Sequence, residues 1–375
     1  MHPLYPYLHK LQHPYSGLIE SYPLSPVDYL HKVGFTYDLS LAALVLIHHG
    51  SLDEAGRIIE FFRSMPLPTQ GGWNFNTAYN VFRRAPALDE GMQVGPIAWS
   101  ALALIRYSQS TGQMLYRHKA ILLLDWIRRQ VPHFQGGLVM GIEDPWESRM
   151  SVENNWAYYA ALHALCPLLP HGLLRETFEQ EERLVRIWLA RQGGSRGQED
   201  PVKALDVYTS ALLVGPEAHL SQTFGNDPRA LATWVKPWIS EMIALFRVPG
   251  TAAFDYADAK EAQRTDRPRV GWLEGTEQVS IALRLWAPWL RAMGDTVFAD
   301  DIEQLAAAAH DHVISRCLTV HGLIAIPNTD SREPVRTFAD GWVARPDNEP
   351  ALNGTTWAYF SDVGFNPYTG TLLHS

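Results

Sequence analysis

Residues 151–165 read SVENNWAYYAALHAL: a serine, a carboxylate and two amides, then an unbroken run of aromatic and small apolar side chains. A helix that is apolar on nearly every side is buried all round, and polar groups at its start meet the free N–H groups and the positive end of the helix dipole. The same order recurs as FTYDLSLAALVLI from Phe35, VGWLEGTEQVSIALRLW from Val270 and ALNGTTWAYFSD from Ala351. Repeated helices of this kind can stand in a ring with their polar ends directed into one cavity.

Helical periodicity comes in pairs. Residues 39–48 are apolar throughout, whereas 52–63 (LDEAGRIIEFFR) are amphipathic, with Ile58, Ile59 and Phe62 on one face. The first is expected to be an inner helix and the second an outer one. The alternation returns at 97–107 with 114–129, 155–165 with 172–191, 207–214 with 228–246 and 278–286 with 297–314; 355–361 stands as a sixth inner segment. Asp38, Pro96, Glu153, Asp206, Glu274 and Asn353 mark the inner starts, at successive separations of 58, 57, 53, 68 and 79 residues. One helix pair per step predicts an all-α fold, an (α/α)6 barrel or toroid with inner and outer helices and long loops at one face; an open solenoid would have a shorter, stricter period. Residues 1–375 are read as a single barrel domain, with 1–25 an N-terminal extension helping to close the ring.

Composition narrows the function. Charged residues make up 19% of the 375 and the formal net charge is −9, which excludes a nucleic-acid surface built on phosphate neutralisation. Cys166 and Cys317 are the two cysteines and lie far apart, so neither a disulfide framework nor a cysteine-based metal site is expected. No stretch reaches the roughly 18 apolar residues of a membrane span, and the first residues lack a signal-peptide core, so a cytoplasmic protein without a membrane partner is expected. HExxH, CxxC, GxSxG, P-loop and GxGxxG patterns are all missing, as is the DxDD cluster of terpene cyclases. No metal and no cofactor is expected. His48 and His49 close an apolar helix, where cations suit the dipole.

The chemistry therefore rests on the acids at the inner helix starts, Asp38, Glu153, Asp206 and Glu274. Each could simply cap a helix. Their company argues for more: Tyr37 precedes Asp38, Asn154, Asn155 and Trp156 follow Glu153, Trp272 precedes Glu274 and Gln278 follows it. Sugar rings stack their C–H faces on aromatics, and sugar hydroxyls need partners that both donate and accept, so this mixture fits an oligosaccharide or polysaccharide. The 13 Trp and 15 Tyr exceed what a helical core alone requires. Glycosidic hydrolysis needs two carboxyl groups, one protonated and one ionised. Glu153 is expected to be the acid, its pKa raised beside Trp156, with Asp38 or Glu274 as the ionised partner and Asp206 as a further catalytic candidate. Trp73, Tyr79, Trp146 and Trp272 are expected to stack on sugar and Asn154, Asn155 and Gln278 to read hydroxyls; Tyr37, Trp156 and Trp357 complete the substrate-binding set. Two alternatives stay open. A lyase or epimerase acting on a uronate would use Arg83, Arg84 and Arg149 as a carboxylate clamp, and a non-catalytic glycan-binding protein would need none of the acids.

The blocks TYDLSLAALVL from Thr36, VGPIAWSALALI from Val94, SVENNWAYYAAL, WLEGTEQVSIALRL from Trp272 and NGTTWAYFSDVGFNPY from Asn353 resemble, in the same order, those of the bacterial six-hairpin glycosidase-like proteins. The resemblance runs from about Gly34 to Tyr368. It implies an (α/α)6 barrel with Asp38, Glu153, Asp206 and Glu274 around the cavity mouth. One departure is TAYNVF, which carries Asn80 where the resemblance leads one to expect an aspartate.

Overall fold

A computed structural model describes residues 2–68, 75–88, 91–197, 200–222, 226–339 and 343–373, without the side chains of Pro201, Ser221 and Gln222. Trp73 lies outside the described residues.

After a short opening helix, α1 (Tyr5–Leu11), the inner and outer patterns separate as the hydrophobicity dictates. In the unit formed by Pro6–Gly193 with Gly197–Glu199, α2 (Thr36–His48), α4 (Val94–Thr111) and α6 (Val152–Leu165) are the inner helices. Each is buried along almost its whole length. Their return helices are α3 (Leu52–Ser64), α5 (Met114–Gln130) and α7 (Leu173–Leu189), which bury one face only; on α3 that face holds Ile58, Ile59 and Phe62. Gly112, in the left-handed region at φ 72°, ends α4 and lets α5 begin two residues later, so the pair is antiparallel. The inner helices run parallel, as contacts between their N-terminal halves indicate: Ser40 Oγ lies 3.3 Å from Ser100 Oγ, and the amide of Asn154 lies against Gly95.

Small antiparallel pairs decorate the helix starts. β1 (Val33–Phe35) pairs with β2 (Ala78–Asn80), Gly34 opposite Tyr79, and β3 (His133–Phe134) turns through Gln135 and Gly136 into β4 (Gly137–Leu138). Residues 6–25 pack on this unit through buried Leu8, Leu18, Ile19 and Tyr22, and Gln12 Nε2 donates to Gly17 O and Glu54 O at 2.8 Å each.

The unit formed by Met1–Tyr5, Gly194–Arg196 and Asp200–Ser375 contains α8 (Leu205–Leu213), α9 (Pro216–Gln222), α10 (Pro228–Phe246), α11 (Ala259–Arg264), α12 (Leu273–Ala292), α13 (Thr296–Ile314) and α14 (Leu352–Val363). Here α8, α12 and α14 are the buried layer, with α10 packed behind α8 and α13 behind α12. Trp286 sits at the centre, fully buried, its indole N–H donating to Leu212 O at 2.9 Å. N-terminal halves again adjoin: Thr209 on α8 reaches Gln278 on α12, and Asn353 on α14 reaches Glu274 on α12. No described helix is long and apolar enough to cross a membrane.

Candidate active site

The acids do not occupy capping positions. Helices start earlier than periodicity alone indicates, because Thr36, Val152, Leu205 and Leu273 already adopt helical geometry; Asp38 is then the third residue of α2, and Glu153, Asp206 and Glu274 are second in α6, α8 and α12. The preceding cap residues Phe35, Ala204 and Trp272 make no side-chain cap, and only at Ser151 does a side chain accept, from Asn154 N at 3.1 Å. First-turn carboxylates still gain from the dipole. Asp206 also accepts one of its helix's own free N–H groups, Val207 N to Oδ1 at 2.8 Å.

In the C-terminal unit, Glu274 is buried and held by two amides: Asn353 Nδ2 donates to Oε2 at 2.7 Å and Gln278 Nε2 to Oε1 at 3.3 Å. Gln278 is itself oriented, since its Oε1 accepts from Thr209 Oγ1 at 2.7 Å. Both donors to Glu274 are N–H groups, the pattern a carboxylate accepts. Asp206, half-buried on the adjoining α8, is pushed above its ordinary pKa by burial, against the lowering influence of Arg196 and of backbone N–H donors that include Val207. The indole of Trp272 stacks on Tyr256 at 4.6 Å between centroids and 18° between planes. Gly275 makes room for that indole, since a Cβ there would lie 2.2 Å from it. Tyr256 donates its O–H to Asn328 Oδ1 at 3.0 Å; burial first, then the charges of Glu274, Asp255 and Asp330, hold it well above the usual phenol range.

In the N-terminal unit, burial pushes the Asp38 carboxyl up to about 7, only partly offset by a hydrogen bond with Ser21. Its Oδ2 is buried without a hydrogen-bond partner among the described residues. Sequence reading offered Asp38 as an ionised partner; burial favours its protonated form. Tyr37 meets Trp99 edge-on at 5.5 Å, and Trp156 meets Tyr159 edge-on at 5.8 Å. Glu153 is half-buried beside buried Asn154 on the first turn of α6. Trp146 belongs to a loop laid over the entry to α4, where Val94 N donates to Met140 O at 2.7 Å, and the Arg149 guanidinium covers its ring at 5.6 Å.

Several expected ligand contacts turn out to be scaffold. Tyr79 is fully buried, its O accepting from Asn76 N at 2.6 Å and its ring against Phe61, so it has no face for a sugar. Trp357 is likewise sealed in the core, edge-on to Phe360. Asn155 spends its amide on Leu138 N, Leu138 O and Ser151 O, fastening the β3–β4 hairpin to α6. Arg84 donates to Ser16 O. Asn80 Oδ1 accepts from Phe82 N and Arg83 N at 3.0 Å each, so this asparagine folds a turn. Asn353, Thr209 and Tyr256 escaped the sequence reading as site residues. Asn353 had a usable signal, because it holds in ALNGTTW the position that Glu274 holds in WLEGTEQ.

Among the described residues no group of three or more His, Cys, Asp or Glu is arranged to hold a metal ion. No family model and no curated protein matches the chain. Solved structures do match it. A sugar epimerase from a ruminal bacterium is similar at a TM-score of 0.68 and 11% identity, over 96% of this chain and 96% of that one. The cellobiose 2-epimerase from Spirochaeta thermophila gives 0.68 and 10%, over 96% and 92%. The glycoside hydrolase family 15 glucoamylase from Hypocrea jecorina gives 0.64 and 14%, over 96% of this chain and 69% of that one. At such identities the likeness concerns the fold: the chain is all-α, with the (α/α)6-barrel fold that these structures share.

Proposed function

We propose that the protein is a carbohydrate-active enzyme and, specifically, a glycoside hydrolase. Fold alone does not carry this reading, because one scaffold hosts many chemistries. The observation that carries it is the Glu274 cradle. A carboxylate on the first turn of α12 is fixed by two amide N–H donors, and the adjoining helix α8 carries, also on its first turn, an acid that burial inclines to keep its proton. The two surroundings suggest the roles: Asp206 gives a proton to the leaving oxygen, and Glu274, supplied with N–H donors, activates water or attacks the anomeric carbon. Trp272, buried and stacked on Tyr256, stiffens the turn that carries that carboxylate. Histidine-based epimerisation is less well supported, since no inner first turn carries a histidine, and His219 and His310 are bonded to Ala211 O and Glu277.

The test is a panel of defined neutral and uronate oligosaccharides incubated with the intact protein and read by mass spectrometry. Hydrolysis releases shorter sugars with one water added. Glu274→Gln is expected to lower kcat by about a thousandfold or more with its melting temperature little changed. Turnover of the wild type to a product of unchanged mass would replace hydrolysis by epimerisation, and full turnover by Glu274→Gln would remove Glu274 from the chemistry.

A further inference from the structure

In the C-terminal unit, residues 254–257 run between α10 and α11 and belong to no helix. Their hydrogen bonds go to the starts of the two acid-bearing helices. The backbone of Phe254 accepts from Trp272 N at 2.8 Å and donates to Thr276 Oγ1 at 3.0 Å, so it holds α12 on both sides of Glu274. Two residues on, the backbone carbonyl of Tyr256 accepts from Leu205 N at 3.0 Å, and Ala257 pairs antiparallel with Ala204. Leu205 immediately precedes Asp206 in α8. The segment is itself anchored. Asp255 N donates to Phe246 O at the end of α10, and the fully buried Asp255 carboxylate accepts from Arg267, Arg269 Nε and Val270 N at 2.8–3.3 Å.

Tyr256 couples the two ties. Its carbonyl serves α8, while its side chain turns to α12, the ring stacked on Trp272 and the O–H donating to Asn328 Oδ1 at 3.0 Å. Asn328 passes the bond on. Its Oδ1 also accepts from Arg345 N at 3.2 Å, and because a backbone N–H can only donate, the sense of the amide is fixed. Its backbone carbonyl accepts from Leu273 N at 3.1 Å, one residue before Glu274. Backbone and side chain of a single buried tyrosine therefore reach the residues that precede both acids.

We propose, on the strength of the paired-carboxylate reading of this site, that Tyr256 is a positioning residue that fixes the spacing of Asp206 and Glu274. In such a pair the separation of the carboxyl groups decides whether water or the second acid reaches the anomeric carbon. A displacement of about 1 Å is enough to cost about a hundredfold in rate. A residue bonded to both helix starts shifts both acids when it is lost, which a side chain that only fills the core does not.

Hydrogen exchange read by mass spectrometry, together with steady-state kinetics, tests this on the intact protein. Tyr256→Leu loses the stack and the phenol bond, so exchange at residues 205–207 and 272–275 is expected to rise together, by about tenfold or more. On an oligosaccharide that the wild type hydrolyses, kcat is expected to fall by about a hundredfold with KM within about twofold. Tyr256→Phe keeps the ring and should recover most of both losses. Thr276→Val cuts the other tie of the segment without touching Tyr256, and is expected to loosen the same two helix starts; with Tyr256→Phe it supplies the readout if Tyr256→Leu does not fold. Ile302→Ala, in the buried face of α13, is the control, expected to lower the melting temperature while leaving both starts and kcat unchanged. Exchange that rises at one helix start only, or a loss of kcat that Ile302→Ala reproduces, would overturn the proposal. A wild type that turns over no sugar would remove the hydrolase reading alone, because exchange still reports whether Tyr256 ties the two starts.

Discussion

Asp38 shows how one residue's burial becomes a pH dependence. Its carboxyl titrates near 3.8 in the unfolded chain and near 7 when folded, with burial the main cause. Because the folded value is raised, its contribution to stability is full below the unfolded value and is lost as pH rises toward the folded one. Three units correspond to a ceiling of about 4 kcal/mol. Asp38→Asn keeps the shape and discards the titration, so it should be more stable than the wild type by roughly 1–3 kcal/mol at about pH 8, and little different near pH 4. Urea denaturation at the two pH values measures this, and equal offsets at both would show that the carboxyl is already solvated. Glu274 illustrates the complementary case, a carboxyl supplied with donors. The sequence displays the acid, but Asn353 lies 79 residues further on, and only packing of α14 on α12 brings its amide within 2.7 Å.

At the scale of the element, α12 shows why inner helices begin as they do. Gly275, in its first turn, lies under the Trp272 indole, whose ring atoms would come within 2.2–2.8 Å of an added Cβ. An exposed helix would gain about 1 kcal/mol from Gly→Ala. Here the rigid ring would have to leave its stack on Tyr256, and overpacking of this kind costs about 1–3 kcal/mol. Gly275→Ala is therefore expected to lower the melting temperature and to weaken sugar binding, with calorimetry and ligand titration as the measurements; an unchanged melting temperature would show that the indole moves freely. Element identity was legible in sequence because inner helices lack a polar side. Their starts were placed late, since apolar periodicity ignores Thr36, Asp38 and Glu153, which are polar residues within the first turn. The same lateness made the acids look like caps.

For the whole molecule, three buried groups tilt stability in one direction. Asp38 and Glu277 are raised chiefly by burial, and His310 is raised because the Glu277 hydrogen bond and charge outweigh the lowering effect of its own burial. Each has a folded value above its ordinary one, so each contribution is present at acid pH and lost as pH climbs through the folded value. Glu60 works oppositely, lowered first by its hydrogen bond with Arg63, and its contribution is lost as pH falls through the carboxylate range. The melting temperature should therefore be higher near pH 5 than near pH 8, with the Asp38 part of the loss complete by about pH 7. Scanning calorimetry across that range checks it, and a maximum above pH 8 would mean the buried groups are hydrated in solution.

What the sequence determined by itself is the alternation of all-round apolar and one-sided helices, and with it the barrel, because hydrophobic burial is written residue by residue in the period of the pattern. Tertiary structure alone decided which polar residues act on one another. Tyr79, Trp357 and Asn155 look in sequence like sugar contacts, but a ring sealed in the core or an amide spent on a hairpin cannot meet a ligand. Hydrogen bonds depend on distances between atoms that the chain places far apart, and those distances exist only once the helices have packed.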